Sequence, residues 1–173
     1  MCSERRPHIV VMGVAGCGKS TIARRVAALT GAEFLDADDL HPGANIEKMT
    51  AGIPLTDEDR GPWLAAVAAR LTARDTRYVV ACSALRRQHR EVLRSGPEPV
   101  IFAHLTGPAA TIRARMARRS GHFMLPGMLD SQLALLEPLE PDETGIVLDI
   151  ASPPDVIARA AAEFSKESWK VTP

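Results

Sequence analysis

Lysine is nearly missing from this chain. Of its 21 basic residues only Lys19, Lys48, Lys166 and Lys170 are lysines, the other 17 being arginine, and two of the four lie in the C-terminal tail. Net charge is missing as well: 21 acids balance the 21 bases. That balance excludes a polyanion-coating protein and a polybasic membrane anchor, so neither nucleic acid nor membrane is expected as a partner. Three cysteines, Cys2, Cys17 and Cys82, are too scattered for a metal motif or a disulfide scaffold and suit a reduced, cytoplasmic setting. No run approaches the roughly 18 apolar residues of a membrane-spanning helix. The apolar stretch from Ile9 to Cys17, which could mimic a leader, is interrupted by glycines and runs straight into Gly18-Lys19-Ser20. Nor does any repeat, low-complexity tract or long linker divide the 173 residues, so a single domain over 1–173 is expected.

What is present is segregated along the chain. Residues 33–59 carry eight acids against Lys48 alone, a net −7, whereas residues 86–119 carry eight arginines against Glu91 and Glu98, a net +6. Such a pairing suits a site that holds cation and anion together, or simply solvated helix faces that pair with each other.

Short apolar runs alternate with Ala/Leu/Arg stretches. The runs His8–Met12, Glu33–Asp36, Tyr78–Cys82, Val100–Leu105 and Ile146–Ile150 read as strands. Thr21–Leu29, Trp63–Arg74, Gln88–Arg94, Pro108–Arg118, Ser131–Leu136 and Asp155–Phe164 read as helices. Nearly continuous apolar strands separated by helices predict an α/β fold with a doubly wound, five-stranded parallel sheet, whose ligands sit beyond the carboxyl ends of the strands. Leu40–Pro62 and Ser120–Asp130 resist the pattern, contain Gly and Pro, and are expected to be irregular insertions that act as lids.

Gly13-Val14-Ala15-Gly16-Cys17-Gly18-Lys19-Ser20 fits G-x-x-x-x-G-K-S between a strand and a helix, the context that a phosphate loop requires. Its backbone N–H groups would surround a nucleotide's phosphates, Lys19 would reach the β- and γ-phosphates, and the Ser20 hydroxyl would coordinate Mg²⁺. In a chain that otherwise prefers arginine, a lysine here supplies a point charge on a flexible stem. The N-K-x-D guanine motif is absent, which argues against a GTPase. Ile146-Val147-Leu148-Asp149 has the form of an ATPase metal strand, but Asp149 suits the capping of the following loop equally well. A small chain with a phosphate loop and two insertions therefore points to a small-molecule kinase that closes over its acceptor.

Phe34-Leu35-Asp36-Ala37-Asp38-Asp39 ends the second strand. In extended chain, Asp36 and Asp38 would point to one face, one holding Mg²⁺ through water and the other taking the proton of the acceptor hydroxyl. An acidic turn that caps the next helix is the alternative.

At this point the chain resembles the gluconate kinases, a shikimate-kinase-like branch of the nucleoside-monophosphate-kinase fold. The match is carried by Met12–Ser20, by Leu35–Asp38 running into Leu40-His41-Pro42, and by Asn45-Ile46-Glu47-Lys48-Met49. Further blocks are Gly52–Arg60 with Pro62-Trp63-Leu64, Cys82–Arg87 with Arg90, Arg119–Met124, and Ser131-Gln132-Leu133 with Leu136-Glu137-Pro138. The resemblance spans nearly the whole chain. It implies transfer of the ATP γ-phosphoryl group to the 6-hydroxyl of D-gluconate with Mg²⁺, an acceptor-binding insertion at about 38–62, a lid at about 119–130, and a homodimer.

Gluconate is a polyhydroxy carboxylate and asks for cationic donors, hydroxyl partners and one base. Asp38 is the expected base and Asp36 the expected metal-side carboxylate. His41, Lys48, Arg60, Ser83, Arg86, Arg90, His122 and Gln132 are expected on the acceptor, with Lys48 foremost among the cations and His41 equally readable as a locally bonded turn residue. The nucleotide set runs through the phosphate loop to Thr21 and adds Arg115, Arg119, Ser152 and Pro153. Arg115 and Arg119 lie one helical turn apart. By the resemblance, the first stacks on adenine and the second approaches the transferred phosphoryl group, so Lys19, Asp38 and Arg119 form the expected catalytic set. Cys82 reads as buried filler. Cys17, close to Lys19 and a helix start, is expected to be a reactive thiol. The lid sequence Leu125–Asp130 departs from the family pattern in its prolines, which should alter lid mobility more than chemistry.

Overall fold

A computed structural model of the chain describes residues 6–72, 75–118 and 126–168. Five strands, β1 (His8–Met12), β2 (Glu33–Asp36), β3 (Tyr78–Ala81), β4 (Val100–Thr106) and β5 (Gly145–Asp149), form one sheet in the order β2-β3-β1-β4-β5. Every pairing is parallel; in register, Val10 stands between Val80 and Phe102. The doubly wound sheet is thus as expected, with each strand within a residue of its predicted bounds.

All five residues of β1 are buried because the strand is covered on both sides. Ile9 and Val11 face helices α1 (Lys19–Thr30) and α7 (Pro154–Ser168), in a core with Ile22, Val26, Ile157 and Ala161. Val10 and Met12 face α3 (Asp57–Arg70) and α4 (Arg87–Leu93), in a second core with Trp63, Val67 and Leu93. Period-2 alternation along one strand thus divides its side chains between two helical layers. The remaining helices are α2 (Gly43–Thr50), α5 (Ala109–Ala117) and α6 (Pro126–Leu135).

Two expectations change. Leu40–Pro62 is mostly helical, because α2 fills its first half and α3 begins at Asp57 rather than at Trp63. Thr56 and Asp59 close a reciprocal capping box, and three acids occupy the first turn, which offsets Pro62 inside the helix. Pro62 reads as a breaker in sequence, yet the strong cap starts the helix ahead of it. In the second insertion, residues 119–125 lie outside the described residues, while Pro126 opens α6, where a missing N–H costs nothing. Its later part, expected to be irregular, therefore joins Ser131–Leu135 in one helix.

Candidate active site

The turn after β1 carries the phosphate loop. Gly16 has φ +79°, a left-handed conformation that favours glycine, and a Cβ there would run into the Met116 side chain, so a larger residue would be strained. Lys19 Nζ donates to Val14 O at 3.0 Å and lies across the loop. Ser20 Oγ donates to Asp36 Oδ2 at 2.9 Å, tying the first turn of α1 to the end of β2.

A cavity of about 370 Å³ opens over this loop, at the carboxyl ends of β1, β2 and β3. Of the expected site residues it is lined by Ala15, Gly16, Gly18, Lys19, Ser20, Asp36, Asp38, His41, Arg60, Ser83 and Gln132. Asp36 and Asp38 meet there by a route other than the expected one. Asp38 lies in a 3₁₀ turn, Ala37–Leu40, and its backbone N–H donates to Asp36 Oδ1 at 3.2 Å. The extended two-apart geometry does not hold, since the acidic segment caps a turn and lines the cavity at once.

On the wall made by α2 and α3, the His41 ring stacks on Trp63 with centroids 4.2 Å apart, and Trp63 Nε1 donates to Ala37 O at 2.6 Å. Asn45 Nδ2 donates to Asp59 O (2.9 Å) and to His41 Nδ1 (3.2 Å), which places the ring proton on Nε2, the nitrogen 3.7 Å from Asp38 Oδ1. Burial, reinforced by the Arg60 guanidinium, pushes His41 down to about 4. At neutral pH it is an uncharged donor.

The cations separate into two groups. The Arg60 side chain is only 8% exposed and lines the cavity, with Asp57 as an ion-pair partner at 3.7 Å. Lys48 does not line the cavity; its Nζ binds both oxygens of Asp59 at 2.7 and 2.8 Å, fastening α2 to the cap of α3. Arg86 also lies off the cavity lining, paired with Asp57 at 2.8 Å, which in turn meets His89 Nε2 at 3.2 Å. Burial opposes ionisation of Asp57, but the His89 bond and the Arg86 charge outweigh it and lower its pKa.

Arg90 is a correction. Its side chain and that of Glu143 are wholly inaccessible and form a bidentate pair, Nε to Oε1 at 2.6 Å and Nη2 to Oε2 at 2.8 Å. Its remaining N–H groups serve the carbonyls of Ala84, Leu85, Glu137 and Pro138. All of its donors are used on protein partners, and none is left for a substrate.

On the nucleotide side, Arg115 Nη2 donates to Ile150 O at 2.8 Å, at the start of the loop that carries Ser152 and Pro153 into α7. Those two residues and Thr21, exposed on α1, do not line the cavity. Asp149 caps its own loop, accepting from Ala151 N at 2.8 Å. Arg119 and His122 lie outside the described residues. Cys17 is 1% exposed, packed into the core beneath the loop, so the expected reactive thiol is shielded. Cys82 is buried as filler, and burial pushes its thiol up to about 12.

Trp63, Asn45 and Asp59, which build the His41 wall, are absent from the expected set. The T-D-E-D capping signature at 56–59 is the sequence signal for Asp59; the stacking and the Asn45 bridge need the packed helices.

A phosphate loop at the head of a 2-3-1-4-5 parallel sheet, facing a cavity with paired carboxylates and a buried guanidinium, defines a P-loop kinase. An AAA-domain family model matches residues 9–139. The chain is 48% identical to the thermosensitive gluconokinase of Escherichia coli over 80% of its length and 75% of the relative's. It is 42% identical to the thermoresistant gluconokinase of the same organism, over 92% and 94%. A solved gluconokinase from Sinorhizobium meliloti superposes with TM-score 0.88 at 42% identity, covering 96% of this chain and 95% of that one. A sugar kinase from Janibacter sp. HTCC2649 does so with TM-score 0.89 at 50% identity, covering 96% and 98%. The chain belongs to the gluconokinase family.

Proposed function

We propose that this chain phosphorylates D-gluconate at its 6-hydroxyl, with ATP as donor, giving 6-phosphogluconate and ADP. The observation that carries this reading is a single cavity bounded by the phosphate loop, by Asp36 and Asp38, and by the buried Arg60. A kinase for a sugar acid needs those parts together: a phosphate cradle, a base, and a cation kept for a carboxylate.

Arg60 takes the gluconate carboxylate, because it lines the cavity, whereas Lys48, Arg86 and Arg90 lie off the lining and are held by Asp59, Asp57 and Glu143, and His41 is uncharged. Ser83 and His41 Nε2–H meet the acceptor's hydroxyls. Asp38 accepts the proton of the 6-hydroxyl as that oxygen forms its bond to the γ-phosphorus and the bond to the ADP oxygen breaks. Lys19 holds the phosphates, and Arg119, with Arg115 toward the base, serves the nucleotide end.

The hydroxyl of Ser20 and the carboxylate of Asp36 fit Mg²⁺, which prefers hard oxygen donors and is commonly held by one or two protein groups plus substrate phosphates. No group of three or more His, Cys, Asp or Glu that could hold a metal occurs among the described residues. When bound, Mg²⁺ supplies charge neutralisation at the phosphates. The chain works as one domain, with residues 38–62 as the acceptor wall and about 119–130 as the lid. No helix among the described residues is long and apolar enough to cross a membrane.

The decisive experiment follows ADP release from ATP over a panel of acceptors: gluconate and its epimers, shikimate, and nucleoside monophosphates. Gluconate-dependent turnover is expected, and turnover with another acceptor alone would overturn the assignment.

A further inference from the structure

One bond in the phosphate loop is not explained by the chemistry above. Ala15, midway along the loop, donates its backbone N–H to Gln132 Oε1 at 2.7 Å across 117 residues of sequence. Gln132 sits on α6 (Pro126–Leu135) four residues after Met128 and next to Ser131, and all three line the cavity. The helix is fastened beside the loop by Leu129, which is buried in the core, and by an ion pair between Asp130 and Arg113 of α5.

The N–H groups of a phosphate loop are its anion receptor. A carboxamide oxygen on one of them does what a phosphate oxygen would do, with a partial charge in place of a full one. We propose that Gln132 is an internal ligand of the nucleotide site: its carboxamide competes with a phosphate of ATP for the Ala15 N–H and is displaced when the nucleotide binds. A charge-assisted bond is roughly twice as strong as a neutral one, so the phosphate wins the exchange. Only a ligand with a phosphate at this amide has to make it, so Gln132 weakens the binding of phosphorylated nucleotide and leaves that of nucleoside untouched. Because Gln132 lines the cavity together with Met128 and Ser131, the exchange also reports loop occupancy to the cavity wall. This inference rests on the loop being the nucleotide site, and it is independent of which acceptor is phosphorylated.

The test uses the full chain without acceptor and titrates ATP and adenosine calorimetrically into wild type, Gln132→Met and Gln132→Glu. Methionine keeps the length and packing of the side chain but cannot accept the bond. Gln132→Met should bind ATP about two- to tenfold more tightly, the equivalent of one neutral hydrogen bond no longer lost, with adenosine unchanged. Gln132→Glu sets a full negative charge against the phosphates and should bind ATP more weakly than wild type. A residue that merely supports α6 predicts the opposite sign for Gln132→Met. ATP affinity unchanged or reduced in Gln132→Met, or adenosine tightened equally, overturns the proposal while leaving the nucleotide reading intact. Wild type that bound no ATP would remove both.

Discussion

Arg90 and Glu143, 53 residues apart in sequence, form a two-pronged ion pair with no solvent access to either side chain. The pair fastens the turn after β3, where Ala84 is held at φ +44°, to the segment that leads into β5. Removing one member leaves a buried charge unpaired, which commonly costs about 3–5 kcal/mol. Glu143→Gln is therefore expected to lose on the order of 3 kcal/mol in denaturant unfolding, while the gluconate KM of the folded enzyme stays near wild type. A large KM increase at full stability would return Arg90 to the acceptor site.

Arg60 and Lys48 should behave differently on substitution. Arg60→Ala removes the guanidinium that faces the cavity, and a lost hydrogen bond to a charged group is worth roughly 1.5–3 kcal/mol, or about 10- to 100-fold in gluconate KM. Lys48→Ala frees Asp59 at the α3 cap and should shift thermal stability more than KM. Steady-state kinetics on both variants checks this, and the reverse ranking would make Lys48 the carboxylate ligand.

The contrast between these cations shows where sequence reading stops. The phosphate loop and all five strands are readable because they rest on local patterns: glycines at fixed spacing, and apolar runs covered on both sides. Asp36 and Asp38 are readable as a site but not as a geometry, since a 3₁₀ turn rather than extended chain brings them together. Which arginine faces a ligand depends on partners far along the chain. Arg90 is lost to Glu143 and Arg86 to Asp57, 29 residues away, and no periodicity records either pairing. Helix α3 was obscured because Pro62 outweighs a capping box in sequence but not in the fold.

Acid should destabilise the enzyme through His41. Because the fold holds this ring near 4 rather than 6.5, the unfolded chain takes up a proton between those values that the folded chain refuses. Stability is thus fully present above about pH 6.5 and falls as pH drops toward 4, by on the order of 2 kcal/mol between pH 7 and pH 5. His8, His89 and His104 are lowered in the same direction, each chiefly by burial, and add to the slope. His41→Phe keeps a ring on Trp63 but removes one titration, so its melting temperature should fall less than that of wild type over this range. An unchanged slope would place the acid sensitivity elsewhere.

Asp38→Asn separates base from binder. The amide keeps the shape of the side chain but cannot take the proton, and a general base is usually worth about two to four decades of rate. The expected result is a kcat lowered by that factor, with ATP affinity near wild type in a binding titration. Undiminished turnover would move the base to another group.

Asp36 tests the metal-side assignment most directly, because its contact with Ser20 is already formed. One carboxylate oxygen accepts from Ser20 Oγ and the other from the Asp38 N–H, so the side chain is oriented by two bonds before any metal arrives. Groups that orient a metal's ligands commonly contribute about 10- to 100-fold to metal affinity. Asp36→Asn retains the acceptor oxygen for one of these bonds but gives up the charge. The Mg²⁺ concentration for half-maximal turnover should then rise by about that factor, with kcat partly recovered at saturating Mg²⁺. Ser20→Ala should raise it too, and the double variant should cost less than the sum of the two, since both act on one metal site. Additive effects would mean that Ser20 and Asp36 serve separate roles, and an unchanged Mg²⁺ requirement in Asp36→Asn would confine Asp36 to holding the turn that carries Asp38.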